Sequence, residues 1–275
     1  MADVYAENMT RVPNEVQRLN QQFDSLTENI GYLIHPSITL PPTARVADMA
    51  TGTARFLVGL HQVYNDAIMD GFDISSDLFP PQDTLPSTIT LSVLDIKQPF
   101  PEHIHGRYDL VHVRLVVAAM RPEDWEPAVR TFSRILRPGG YLQWEECDFL
   151  GGEWLPGNPN ASVENMKYLG YTFRAALHDQ LNYGWNTLPE HMQAAGLVSI
   201  VTDVASSDRV IEARETFSTS ALTLFLNWAH LMIQRGATGP MFDNLHDLEK
   251  AAHQEIKSGC YYKFNIHVAC ARKPM

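Results

Sequence analysis

A chain of 275 residues with 45% hydrophobic side chains is long enough to bury a substantial core, which excludes a disordered polymer. Its formal charge of −11, with no clustered run of Lys and Arg, argues against nucleic acid and favours a small-molecule partner. Three widely spaced cysteines, Cys147, Cys260 and Cys270, include no CxxC pair, so neither a disulfide framework nor a metal site is expected and a reducing cytoplasm is the simplest compartment.

Residues 1–20 mix charged and amide side chains without an apolar signal stretch, and no membrane partner is expected. The first helix comes before any strand, with Val16, Leu19, Phe23, Leu26 and Ile30 at helical spacing and Gly31 as its stop. Strands follow at Arg45–Met49, Ala67–Phe72, Ile89–Leu94 and Tyr108–Val113, each short and apolar, as strands buried on both faces of a parallel sheet are. Between the first two, Phe56, Leu57 and Leu60 mark a helix. Another, carrying Trp125, Val129, Phe132 and Leu136, is expected to end at Arg137-Pro138-Gly139-Gly140, directly before a fifth strand at Tyr141–Glu145.

Residues 151–160 hold Gly, Pro and Asn at the density of a surface loop, and a helix-like stretch spans Val163–Leu181. A helix near Leu188–Ala195, a sixth strand at Val198–Val204, a helical block over Ile211–Lys257 and a seventh strand at Tyr262–Ala271 complete the chain. Ala221–Met232 is apolar but interrupted by Thr223, Asn227 and His230, and too short to cross a bilayer. The glycosylation-type matches at Asn8 and Asn160 are taken as chance.

The segment Val46-Ala47-Asp48-Met49-Ala50-Thr51-Gly52-Thr53-Ala54 puts small residues where a strand turns into a helix, so backbone can approach a ligand and free N–H groups face it. Asp73 lies 21 residues after Gly52, at the end of the second strand, where a carboxylate can accept both hydroxyls of a ribose. Together these read as a nucleoside site, without deciding which nucleoside cofactor. Taken singly, each also reads as an ordinary strand-helix turn or a solvated loop carboxylate.

Asp48 with its turn, Asp73, Asp95, Tyr108-Asp109 and Leu136-Arg137-Pro138-Gly139-Gly140-Tyr141-Leu142 occur in an order that resembles the class I S-adenosylmethionine-dependent methyltransferases over residues 30–150. More narrowly, Ile34-His35-Pro36-Ser37-Ile38, Asp109-Leu110-Val111-His112-Val113-Arg114 and Tyr141-Leu142-Gln143-Trp144-Glu145-Glu146 are similar to methyltransferase-like proteins of fungal secondary metabolism. The resemblance implies one Rossmann-like α/β domain over 1–275, with a seven-stranded, mostly parallel sheet and helices on both faces. An N-terminal helical segment would occupy 1–40, a cofactor-binding core 41–150, and helical insertions over the active site 151–187 and 210–258.

The resemblance also implies roles. The turn, from Asp48 through Ala50, Thr51 and Gly52 to Ala54, would approach the methionine part of S-adenosylmethionine. Asp73 would bind the ribose, Ile74 the adenine face, Asp95 the adenine amino group and Ile96 the ring edge. Val113 and Arg114 would border the methionine end, with Arg114 either a partner for its carboxylate or in an ion pair. The family pattern has glycines where this chain has Ala50 and Ala54, so either the backbone stays in ordinary regions there or the cofactor sits differently.

Methyl transfer needs alignment and exclusion of water more than a dedicated catalytic group. Glu145, Glu146 and His178 are candidate bases for a hydroxyl acceptor, each also readable as a solvated or core-satisfied side chain. Trp154, Tyr168, Tyr171, Phe173, Tyr183, Trp185, Phe217, Phe225, Trp228 and Met232 point as a group to an apolar or aromatic acceptor, although each singly reads as packing. The leading expectation is methylation of a small metabolite, at oxygen before nitrogen or sulfur. A non-methylating cyclisation or isomerisation and a regulatory binding role are the alternatives.

Overall fold

The computed structural model describes residues 15–275; the Asn8 match lies outside them. Nine α-helices are described: α1 (Glu15–Ile30), α2 (Arg55–His61), α3 (Trp125–Ile135), α4 (Glu164–Ala176), α5 (His178–Leu181), α6 (Leu188–Ala194), α7 (Ala213–Gln234), α8 (Pro240–Asp243) and α9 (Leu245–Lys257). Seven strands, β1 (Arg45–Met49), β2 (Ile68–Asp73), β3 (Ile89–Val93), β4 (Tyr108–Arg114), β5 (Leu136–Pro156), β6 (Val198–Ser206) and β7 (Cys260–Arg272), form one mostly parallel sheet with helices on both sides. Its order is β3-β2-β1-β4-β5-β7-β6. The chain reverses its direction of travel across the sheet between β1 and β4, and open α/β sheets bind ligands at the carboxyl ends of strands flanking such a switch point.

By contacts the chain divides into two compact units. One comprises Ile30–Cys147, Tyr183–Val204 and His267–Met275; the other comprises residues up to Asn29, Asp148–Asn182 and Ala205–Ile266. In the first, β1 and β4 are buried because helices cover both faces. Phe56 and Leu57 of α2 lie on one side, while Trp125, Val129 and Phe132 of α3 pack with Trp144 of β5 on the other. In the second, α4, α7 and α9 pack together. Glu255 of α9 caps the start of α4, accepting hydrogen bonds from Ser162 Oγ (2.6 Å), Asn165 and the Met166 N–H (2.9 Å). Burial alone would raise its pKa, but these donors lower it.

Four local expectations change. The loop expected over 151–160 is strand as far as Pro156. Gly152 is there for close approach rather than a turn, since a Cβ on it would lie 2.2 Å from the Tyr262 hydroxyl oxygen of β7. The helix-like stretch 163–181 breaks into α4 and α5 at Leu177, and the block 211–257 into α7, α8 and α9, with Gly236 and Gly239 at positive φ between the first two. On α1 the helix is present, but Val16 is exposed and Leu26 and Ile30 carry the burial. The aromatic group is core: Trp154 stacks on Tyr262 at 4.5 Å, and Phe173 packs against Phe225 and Trp228. Tyr171 is 71% exposed and lies outside that packing. All three cysteines are buried and none is in a disulfide among the described residues, in which no helix is long and apolar enough to cross a membrane.

The Arg137-Pro138-Gly139-Gly140 segment is a bulge within β5 and not a separate turn. Tyr108 pairs with Leu136 and Leu110 with Tyr141, so the intervening residues are displaced from the ladder. The bulge is fixed from β7's end, where the Lys273 N–H donates to Gly140 O (2.8 Å) and Lys273 Nζ to Ser133 O and Leu136 O. A Cβ on Gly140 would lie 2.7 Å from Tyr108 O and 3.1 Å from Arg137 O, both backbone atoms without freedom to swing aside. Gly140→Ala is therefore expected to destabilise the fold by about 2 kcal/mol or more, read as a lowered midpoint in urea unfolding. Unchanged stability would show that the bulge tolerates backbone shifts.

Candidate cofactor and active site

The turn after β1 has the geometry of glycine without its composition. Ala50, Gly52 and Ala54 have φ of 56°, 53° and 58°, so of the two alternatives for the alanines, a backbone in ordinary regions is not the one adopted. A left-handed residue with a Cβ costs about 1–2 kcal/mol, and it persists only where its surroundings over-determine it. Here they do. The Thr51 N–H donates to Phe72 O (2.9 Å), Thr51 Oγ1 to Asp48 Oδ2 (2.6 Å), and the Gly52 N–H to Asp73 Oδ2 (2.8 Å). A Cβ on Gly52 would meet nothing within 4 Å, so the turn faces open space at that point.

Asp73, at the carboxyl end of β2, is thus tied to the turn by its carboxylate and also accepts from the Ser75 N–H (3.3 Å). Asp95 follows β3, is largely buried, and accepts from the Lys97 N–H (2.9 Å); Ile96 beside it is buried and Ile74 partly exposed. Val113 lies wholly within the sheet, between Met49 and Trp144.

Beneath the turn runs a row of buried polar groups set by strand register. Asp48 of β1 lies beside His112 of β4, which lies beside Gln143 of β5; one step on, Arg114 lies beside Glu145. Residues two apart on a strand share a face, so all five project to the side covered by α2. His112 Nδ1 lies 2.7 Å from Asp48 Oδ1 and Nε2 lies 3.6 Å from Glu145 Oε1, while its ring stacks on Phe56 at 3.6 Å and 3°. Glu145 also accepts from Gln143 Nε2 (2.6 Å) and is ion-paired with Arg114. Gln143 in turn accepts from the His35 N–H (2.8 Å) and donates to Leu33 O (3.0 Å), and the His35 ring meets Asp203 at 3.2 Å.

Several anticipated roles shift. Burial would push the Glu145 carboxyl up, but Arg114 and His112 outweigh it and hold it at about 2. That is a structural carboxylate and a poor base. Burial likewise opposes protonation of His112, yet hydrogen bonding and charge from Asp48 and Glu145 outweigh it and raise its pKa. Of the two alternatives for Arg114, the ion pair is present: its Nε is paired with Glu145 and its side chain is 7% exposed. His178, on α5, is 60% exposed on its side chain and paired with Asp179 at 3.4 Å. His112 and Gln143 were not singled out as site residues. Polar residues alternating within two otherwise apolar strands, Asp109-Leu110-Val111-His112-Val113-Arg114 and Gln143-Trp144-Glu145, are the signal that marks them.

Residues 46–140 match the methyltransferase domain family model. Two curated relatives agree: a Penicillium methyltransferase, grgD, is 38% identical over 165 residues covering 56% of each chain, and an N-methyltransferase of Claviceps purpurea, tcpN, is 25% identical over 92% of each. Over residues 46–140 this chain is thus similar to the methyltransferase domain family, which supports the class I resemblance. Among solved structures, phosphoethanolamine N-methyltransferase 2 of Haemonchus contortus, in complex with S-adenosyl-L-methionine, is 16% identical with a TM-score of 0.50, covering 93% of this chain and 53% of that one, a likeness of fold. The chain thus spans about half the length of some of the proteins it matches, grgD among them.

On the opposite face of β5, Glu146 is wholly buried. Its Oε1 accepts from the Val116 N–H (2.9 Å) and Trp144 Nε1 (3.0 Å), and its Oε2 has no hydrogen-bond partner among the described residues. Val116 follows Leu115, which is itself left-handed at φ 53°, so Glu146 secures a strained bend at the switch point. Burial lifts its pKa to about 7 against the donated hydrogen bonds. The unfolded chain releases this proton near 4.5, the folded chain only near 7. Stability contributed here therefore falls as pH rises through that window. Glu146→Gln keeps an acceptor for Val116 and Trp144 without the charge. It is expected to raise the melting temperature at pH 8 by a few degrees and to change it little at pH 5, as read by differential scanning fluorimetry. An equal effect at both values would mean that Glu146 is not a buried titrating acid.

Proposed function

We propose that the chain binds S-adenosylmethionine and transfers its methyl group to a heteroatom of a small metabolite. The observation that carries this reading is the 2.8 Å hydrogen bond from the Gly52 N–H to Asp73. It ties the ribose acceptor of this reading to its methionine-binding turn, so both halves of one ligand are addressed by a single hydrogen-bonded element. The residues fit that ligand in kind and place: Asp73 puts a carboxylate at the carboxyl end of β2 against the turn, Asp95 puts another after β3, and Ile74 and Ile96 lie beside them as apolar neighbours for a flat ring. The cofactor when bound supplies an electrophilic methyl on a sulfonium. The chain's own contribution is to hold it, orient it and exclude water.

The alanines at positions 50 and 54 motivated a non-methylating alternative. Both adopt the conformation glycine would, which removes that motive. As to the acceptor atom, the relative aligned over 92% of the chain is named an N-methyltransferase, which supports nitrogen ahead of the oxygen expected from sequence. With Glu145 held at about 2, the reading relies on alignment and not on that carboxylate as a base; an amine acceptor that is neutral at the reaction pH needs none to attack.

Isothermal titration of the full chain with S-adenosylmethionine tests the reading. Binding is expected in the micromolar range, and Asp73→Ala is expected to weaken it at least tenfold, a loss of about 1.4 kcal/mol. A wild-type chain showing no binding up to low millimolar cofactor would exclude methyl transfer.

A further inference from the structure

The turn's three left-handed residues include two alanines, and besides its hydrogen bonds to Phe72, Asp48 and Asp73 it is braced from the strand and helix that flank it. One residue touches it from both flanks. His112 reaches back to Asp48, whose other oxygen binds Thr51 inside the turn, and it lies flat against Phe56, the second residue of the helix that leaves the turn after Ala54. We infer that His112 is a positioning residue that clamps the cofactor turn in its left-handed shape, through Asp48 on the strand side and Phe56 on the helix side, with Glu145, itself paired with Arg114, beside the other ring nitrogen. The inference rests on the reading above that this turn meets the methionine part of the cofactor.

The energetics favour a geometric role over a stabilising one. Two carboxylates, an imidazole and a guanidinium, with side chains between 1% and 7% exposed, cost several kcal/mol each to desolvate, and apolar side chains of similar volume pack such positions as well or better. What apolar side chains cannot supply is direction. A 2.7 Å contact to one carboxylate oxygen leaves the other fixed on Thr51, and a stacked ring pins Phe56 to within the thickness of an aromatic face.

The test uses two probes that differ in the methionine part. S-adenosylhomocysteine carries it; methylthioadenosine lacks the amino-acid end. For the full-length His112→Asn chain, calorimetry is expected to show at least a tenfold loss of affinity for the first and less than a twofold change for the second. Adding Ala50→Gly, which makes the left-handed state cheap, is expected to recover most of the loss. Should His112→Asn not fold, Phe56→Leu removes the stacked contact alone and is expected to give the same pattern. Affinity for S-adenosylhomocysteine within twofold of wild type, or an equal loss for both probes, overturns the clamp. A ligand-free measurement separates this from failure of the cofactor reading. Ala50→Gly is expected to raise the melting temperature of the wild-type chain but not of His112→Asn, whose turn has already relaxed; an equal rise in both overturns the clamp even if the wild-type chain binds neither probe.

Discussion

The buried row of Asp48, His112, Glu145 and Arg114 is the constraint on which the candidate site depends. Parallel strands buried on both faces ordinarily carry only apolar side chains, because an unpaired charge there is prohibitive. This row is tolerated because register places partners side by side: Asp48 beside His112 and Arg114 beside Glu145. Moving any one strand by a single residue would turn its polar members to the opposite face, where Trp144 and α3 pack. The row therefore specifies register as well as local geometry, and the turn inherits its position from it.

From that base the two faces of the sheet divide the work. The α2 face holds the charged row, Phe56 and the turn; the α3 face holds the Trp125, Phe132 and Trp144 cluster with Glu146 at its edge. Both faces converge on the bend after β4. Leu115 donates its N–H to Glu145 O (3.0 Å) and Val116 donates to the Glu146 side chain. A strained residue held from two consecutive positions of a neighbouring strand has little freedom, which suits a bend that borders a binding crevice.

Much of this was legible before the structure. The short apolar strands, the small-residue turn and the spacing from Gly52 to Asp73 each rest on local chemistry, and they appear where that chemistry puts them. What misled was composition read without its partners. Gly151 and Gly152 resemble loop residues until Tyr262 is seen crossing above Gly152, and Ala50 and Ala54 argue against a left-handed backbone until the groups that enforce it are in view. Glu145 looked like an available base because its ion-pair partners come from another strand, 31 and 33 residues earlier in the chain. Propensity and spacing report on neighbours in sequence; burial and pairing across strands are decided by neighbours in space.

The same distinction explains why the aromatic residues of the helical unit say less about an acceptor than their number invites. Trp154, Phe173, Phe225 and Trp228 are consumed in one another's rings, and a side chain already saturated with apolar contacts has no face left to select a ligand. Specificity has to come from groups not enclosed in this way. In the unit that holds the turn those are few, since the charged row is paired within itself and Glu146 is sealed beneath Trp144. The carboxylates of Asp73 and Asp95 stand apart because backbone N–H groups fix their direction at the carboxyl ends of β2 and β3, and a carboxylate held in one direction at that edge of the sheet is what recognition of a polar ligand requires.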